Sequence, residues 1–182
     1  MAQNNWSANA DLIVGNDLWL YIVDLGHGSG ATPMTYAMAE SAVAIAYATS
    51  CSLELSADEL TAASKMSCRW NVARQGAGSY TVNGEALYCL QSRAAANGAY
   101  TIDDLFEAFV QGDNVGWVIA VDKSVAKGEC GTIEGPDMTG VAYWGEAAIT
   151  SLNISAGNNE IASSTITLSG SGQPHKGNDA QS

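Results

Sequence analysis

Residues 18–23 read LWLYIV, an unbroken apolar run of branched and aromatic side chains. The run is too short for a buried helix and has the composition of a strand. Side chains of a strand alternate between its two faces, so a strand apolar at every position is covered on both. One cover is the chain's own core, and the other is expected to be something beyond that core.

The rest of the chain keeps mostly to the two-residue period. Val43, Ile45 and Tyr47 alternate with alanines, and Cys51, Leu53 and Leu55 alternate with Ser50, Ser52 and Glu54. Tyr80, Val82, Gly84, Ala86 and Tyr88 share one parity. Residues 115–121, 152–155 and 164–169 complete about seven or eight strands. Glycine-rich connections separate them, the longest at residues 26–31 and 127–140. The apolar parity shifts between Ile149 and Leu152, which predicts a bulge or bend there.

One helix stands out. Thr101 can cap it, Asp103 and Asp104 suit its positive end, and Gly112 ends it. Ile102, Leu105, Phe106, Phe109 and Val110 recur at helical spacing, an apolar stripe expected to lie on a sheet. Residues 56–59 have capping-box form, but the residues after them offer almost no apolar face. Residues 56–69 are therefore expected to be a projecting loop with at most one helical turn. Residues 171–182 hold no large apolar side chain and are expected to be a flexible, disordered polar tail. The fold class that follows is α+β and mainly β: one domain over residues 1–170, a β-sandwich or small barrel with one flanking amphipathic helix.

Charge narrows the function. Charged residues are 14% of the chain, against roughly 25% in an average soluble domain. A neutral surface of Ser, Thr, Asn, Gly and Ala favours a chain that meets other protein over a secreted domain with a neutral exterior. The balance is 19 acids to 7 bases, a formal net charge of −12. Nucleic-acid binding relies on clustered Lys and Arg that displace counterions, so tight DNA binding is not expected, nor is attraction to an anionic membrane. Residues 1–11 show neither a basic region nor an apolar region of an export signal, and no apolar run approaches a membrane span. Synthesis in the cytoplasm without export is the expectation.

Catalytic constellations are hard to assemble. Cys51, Cys68, Cys89 and Cys130 form no Cys-x-x-Cys, and His27 and His175 are remote from them in sequence, so zinc spacing is missing. Cys51 and Cys89 read as small core residues, and disulfides are not expected without export. A thiol at one of these cysteines paired with His27 is the weaker reading. Residues 26–30 (GHGSG) lack the Lys-Ser/Thr and the helix of a phosphate loop, and residues 76–79 lack the context of a serine nucleophile. Asp103 and Asp104 read as first-turn charges before they read as a catalytic pair. Glu129, Glu134 and Asp137 match no calcium-loop spacing. Trp19 and Trp117 sit in strand runs, while Trp70 and Trp144 lie at strand margins where a sugar-stacking platform stays open. No enzyme, cofactor or metal is expected.

Several stretches, in order, carry a resemblance. They are ATSCSLELSADEL at 48–60, followed by TAASK and Trp70; YTVNGEALY at 80–88; DDLFEAF at 103–109; GEAAITSLNISA at 145–156; and residues 164–172 with their Ser-Gly-rich exit. Together they resemble the major tail tube proteins of long, non-contractile-tailed bacteriophages. That resemblance implies a structural virion protein. Its six-subunit rings would close their inner strands into a β-barrel and stack into a tube through which DNA passes without tight binding. The implied partners are further copies of the chain and other tail proteins, such as the tape measure, initiator or distal, and terminator proteins. The implied location is the virion tail. The loop residues Ser56, Ala57, Asp58, Glu59, Leu60, Thr61, Ser64, Lys65 and Arg69 would contact the neighbouring ring. Leu18, Trp19, Leu20, Tyr21 and Ile22 would form a core or inter-subunit strand. An acidic lumen would let the genome slide. The glycine-rich residues 26–31 and Cys68 depart from the family pattern. A tube of a contractile tail or secretion-like device is the nearest alternative, and a carbohydrate-binding or adhesion module is the alternative from another class.

Overall fold

The computed structural model describes residue 13 and residues 17–26, 32–62, 72–88, 99–126 and 133–177. Among these residues seven strands and three short helices follow in the order β1 (Leu18–Asp24), α1 (Tyr36–Glu40), β2 (Val43–Ala44), β3 (Ala48–Ala62), β4 (Val72–Leu87), α2 (Ile102–Gln111), β5 (Asn114–Val121), α3 (Lys123–Ala126), β6 (Ala142–Ser155) and β7 (Ser163–Lys176). The strands form one antiparallel sheet in the order β2-β1-β5-β6-β7-β4-β3.

The sheet curls until its two halves pack against each other. Leu20 and Ile22 of β1 and Val115, Trp117 and Ile119 of β5 share one core with Tyr80, Val82 and Ala86 of β4 and Ile166 and Leu168 of β7. The approach is close enough that a Cβ on Gly84 would fall 2.7 Å from Leu20 Cδ2, so β4 carries a glycine opposite that leucine. Two halves in contact make a sandwich-like body, but β2 and β3 do not pair and the sheet does not close into a barrel.

The expectation that something beyond the chain's own core covers β1 is corrected. Leu20 and Ile22 face the inner core, and Tyr21 faces a second one on the opposite side of the sheet. Residues from the chain itself fill that second core: Leu25, Met34, Ala39 of α1, and Met138, against Val118, Ala120, Ala142 and Trp144. Asp122 holds this cover down. Its buried carboxylate accepts the Tyr21 hydroxyl at 2.8 Å and the backbone N–H groups of Ser124, Glu134 and Gly135 at 2.8, 3.2 and 3.0 Å. Burial pushes the Asp122 pKa up, but these hydrogen bonds outweigh it and hold the group below the usual carboxylate range. Burial, then the facing carboxylate, raises Tyr21 well above the usual phenol range.

A carboxyl group with a depressed folded pKa contributes stability above its unfolded pKa, about 4, and loses it as pH falls through the folded value. Asp122→Asn should therefore cost about 2–3 kcal/mol at neutral pH. The gap between variant and wild type should narrow below about pH 4. Denaturant midpoints at neutral and acid pH measure it. A constant gap would refute the role of the charge.

The helix at 102–111 forms as its sequence requires. Thr101 and Asp104 make a reciprocal capping box, and Gly112 closes the helix in the left-handed region at φ 75°. Only part of the expected stripe lies on the sheet. Ile102, Leu105 and Ala108 are buried, whereas Phe106, Phe109 and Val110 are 53%, 43% and 67% exposed. Small Ala108 lets the helix roll onto the 102–105–108 side, which turns the 106–110 flank outward.

Two further expectations change. Residues 56–62 are not a loop with a helical turn but the continuation of β3, paired with Val72–Ser79 of β4. Ser171–Lys176 do not belong to a disordered tail but extend β7 along β6. Residues 178–182 lie outside the described residues. The bulge expected between Ile149 and Leu152 is present as a register shift between Ile149 and Ser151.

Candidate assembly surfaces

Three surfaces emerge from this architecture. The first is the outward face of β3, β4, β7 and β6. Alternation turns Cys51, Leu53, Val82, Ile166 and Leu168 toward the core, so the intervening residues face out in registered rows. One row runs Ser52, Asn83, Thr167, Ser151, and the next Ser50, Glu85, Thr165, Asn153. Side chains link across the strands: Ser50 donates to Glu85 Oε2 and Thr167 donates to Asn83 Oδ1, both at 3.1 Å. Glu85 lies in the second row and Glu54 in the row of Thr81, Ser169 and Ala148, and none of these rows contains a Lys or Arg. The surface is neutral to acidic and rich in hydroxyl groups.

The second surface is an arm. Toward its beginning β4 pairs with β3 alone, because β7 leaves it after Ser169 to follow β6. From Tyr80 outward, β3 and β4 continue as a two-stranded antiparallel ribbon, with the Ser56 and Ser79 hydroxyls 2.8 Å apart and a register shift between Ala57 and Glu59. Leu55 and Leu60 are 64% and 59% exposed on it. Leu55 continues the apolar parity of Cys51 and Leu53, but the opposing half of the sheet has ended there, and the described residues leave it 64% exposed. The fork between the arm and Gly172–Pro174 is an open cleft of about 570 Å3. Of the residues expected to contact another ring, Ser56, Ala57, Asp58, Glu59, Leu60 and Thr61 lie on β3 in this arm. Ser64, Lys65 and Arg69 lie outside the described residues.

The third surface is the exposed flank of α2. Tyr88, just past β4, donates its hydroxyl to Asp103 Oδ1 at 2.8 Å. The helix therefore sits at the end of β4 opposite the arm. The acids Asp24, Asp104, Glu107 and Asp113 gather around a small cleft there with Tyr100. Burial, then the carboxylates of Asp24, Asp104 and Glu107, pushes the Tyr100 hydroxyl up to about 12.

Trp144, left open as a sugar platform by its sequence position, is fully buried. Its ring stacks on His175 with centroids 4.3 Å apart, and its indole N–H donates to the Gly177 carbonyl at 3.1 Å. This clasp holds the end of β7. Sequence reasoning missed it because the apolar partner belongs to β6 and the clasping residues are polar. Trp117 is also fully buried; Trp6 and Trp70 lie outside the described residues. Cys51 is half-buried in β3, and burial raises its thiol pKa. Cys68, Cys89 and Cys130 lie outside the described residues, as does His27. Among the described residues no three His, Cys, Asp or Glu converge as a metal site, and no helix is long and apolar enough to cross a membrane.

No family model matches the sequence, and no curated protein matches it. Solved structures do match. One is the tail of an empty gene transfer agent particle with C6 symmetry, at TM-score 0.61 and 15% identity over 91% of this chain and 98% of that one. Another is the SPP1 tail tube, at TM-score 0.59 and 15% identity over 93% of this chain and 81% of that one. A third is the six-fold symmetrised baseplate of the anti-feeding prophage, at TM-score 0.51 and 10% identity over 90% and 95%. At these identities the likeness is one of fold: this chain carries, over nearly its whole length, the fold found in those tail and tail-tube structures.

Proposed function

We propose that the protein is a structural subunit of a virion tail tube that assembles into six-fold rings and stacks them, without catalytic activity. The observation that carries this reading is the near full-length likeness to tail and tail-tube chains, one of them from a particle with C6 symmetry. The free edge of β3 supports it. A long edge strand with neither Lys nor Pro is an invitation to pair, and a subunit in a ring gives it a partner.

The outward rows of β3, β4, β7 and β6 suit a lumen. Glu54 and Glu85 repel phosphates, and hydroxyl and amide groups offer passing DNA no fixed charge to hold it. Converting both glutamates to lysine should slow DNA ejection and make assembled tubes retain DNA in a salt-dependent way. Ejection at the wild-type rate, with no DNA retained, would remove the lumen assignment. The subunit would work alongside the tail proteins that set tube length and close its ends.

Sedimentation velocity over a wide range of protein concentration tests the self-assembly. The proposal expects six-copy species and larger multiples of them. A single-copy species at every concentration would count against it. The baseplate likeness leaves room for a tube of a contractile device, but its TM-score is the lowest of the three. The adhesion-module reading loses one of its two tryptophans with the burial of Trp144; the other, Trp70, lies outside the described residues.

A further inference from the structure

The arm and the α2 flank lie at opposite ends of β4, are both apolar, and carry opposite charge. The run from Arg74 to Tyr88 spans on the order of 45 Å at about 3.3 Å per residue. On the arm, Arg74 lies directly across from exposed Leu60, one pair farther out than Glu59 and Gln75. Over residues 56–79 the arm's sequence holds Lys65, Arg69 and Arg74 against Asp58 and Glu59, whereas residues 102–111 hold Asp103, Asp104 and Glu107 and no base. At the far end, helical spacing sets Phe106 and Val110 beside Asp103 and Glu107, so an exposed apolar flank is bordered by carboxylates.

We propose that the arm of one copy docks on α2 of the next, Leu60 against Phe106 and Val110 and Arg74 facing Glu107. This rests on the tube reading and names the surface that receives the arm. The two patches lie at opposite ends of one molecule, so their contact is head-to-tail and repeats without closing on itself, as a stack requires. Each contact is an exposed pair of modest strength, but six around a ring engage together, and multivalency converts them into a firm joint. Other occupants of the α2 flank, such as a different tail protein, predict that arm variants leave stacking unchanged.

The test uses the full chain with Arg74→Glu, Glu107→Arg and the two combined, read by light scattering and by electron-microscopic counts of rings against tubes. Both positions are exposed, and far-UV circular dichroism checks that the variants fold. Each single change should raise the concentration at which tubes appear by about tenfold or more while rings persist. The combined exchange should return it to within about threefold of wild type. Val110→Asp should block stacking by itself. Single variants that form tubes at the wild-type threshold, or a combined variant as defective as either single one, would overturn the contact while leaving the tube reading intact. Absence of any wild-type assembly would instead overturn the tube reading and this contact with it.

Discussion

Excising residues 57–78 and joining Ser56 to Ser79 through an Asn-Gly turn should yield a folded subunit that no longer builds tubes. Ser56 and Ser79 are already a cross-strand pair, so a two-residue turn closes the shortened hairpin in register. None of the described residues removed, 57–62 and 72–78, belongs to either hydrophobic core. The thermal midpoint should therefore stay within a few degrees of wild type, since a change of about 1 kcal/mol moves a domain of this size by only about 2–4 °C. Tube mass by sedimentation, in contrast, should fall to background while single rings remain. A shortened variant that still forms long tubes would show that ring-to-ring contacts lie elsewhere. One that fails to fold would show that the arm belongs to the folding unit.

Trp144→Ala should be the most damaging single change among the positions discussed. The indole is fully buried in the second core, stacks on His175 and donates to the Gly177 carbonyl. Removing a buried tryptophan costs about 3–5 kcal/mol through lost contacts and the cavity left behind. That corresponds to a drop on the order of 10 °C in the thermal midpoint. Trp144→Phe keeps a ring against His175 but gives up the hydrogen bond, so about 1 kcal/mol beyond the smaller packing loss is expected from that term. Denaturant unfolding measures both. Because the clasp fixes the end of β7, the alanine variant should also expose the bond after Lys176 to protease more than the phenylalanine variant does. A Trp144→Ala variant within 1 kcal/mol of wild type would contradict the clasp.

What could be read in the sequence was what each segment's own side chains determine. The parity of Tyr80, Val82, Gly84 and Ala86 in β4, the Thr101–Asp104 cap and Gly112 stop of α2, and the slip after Ile149 are local patterns, and each is present in the structure. What could not be read depends on partners distant in the chain. Ser171–Lys176 look like a tail because their order comes from the backbone of β6 and from Trp144, not from apolar residues of their own. Residues 56–62 look like a loop because a two-stranded ribbon facing solvent on both sides has no core-facing alternation to show. Near β2 the expected phase is reversed in part: Ala42, Ala44 and Ala46 are buried while Tyr47 is exposed at φ 53°, because the close approach of α1 and β1 leaves room only for small side chains. The assembly surfaces were named from resemblance as a loop and a strand, while the helix stripe was expected to lie on the sheet. The structure buries Leu20, Tyr21 and Ile22 of the strand, leaves Leu18 and Trp19 half-buried, and divides the helix between core and surface.

The most direct test of the central claim is negative-stain electron microscopy of the concentrated, full-length protein. The account predicts hollow tubes or rings with six-fold end views and an open central channel. Solid or disordered aggregates, or particles no larger than one chain across the concentrations where sedimentation is measured, would contradict it.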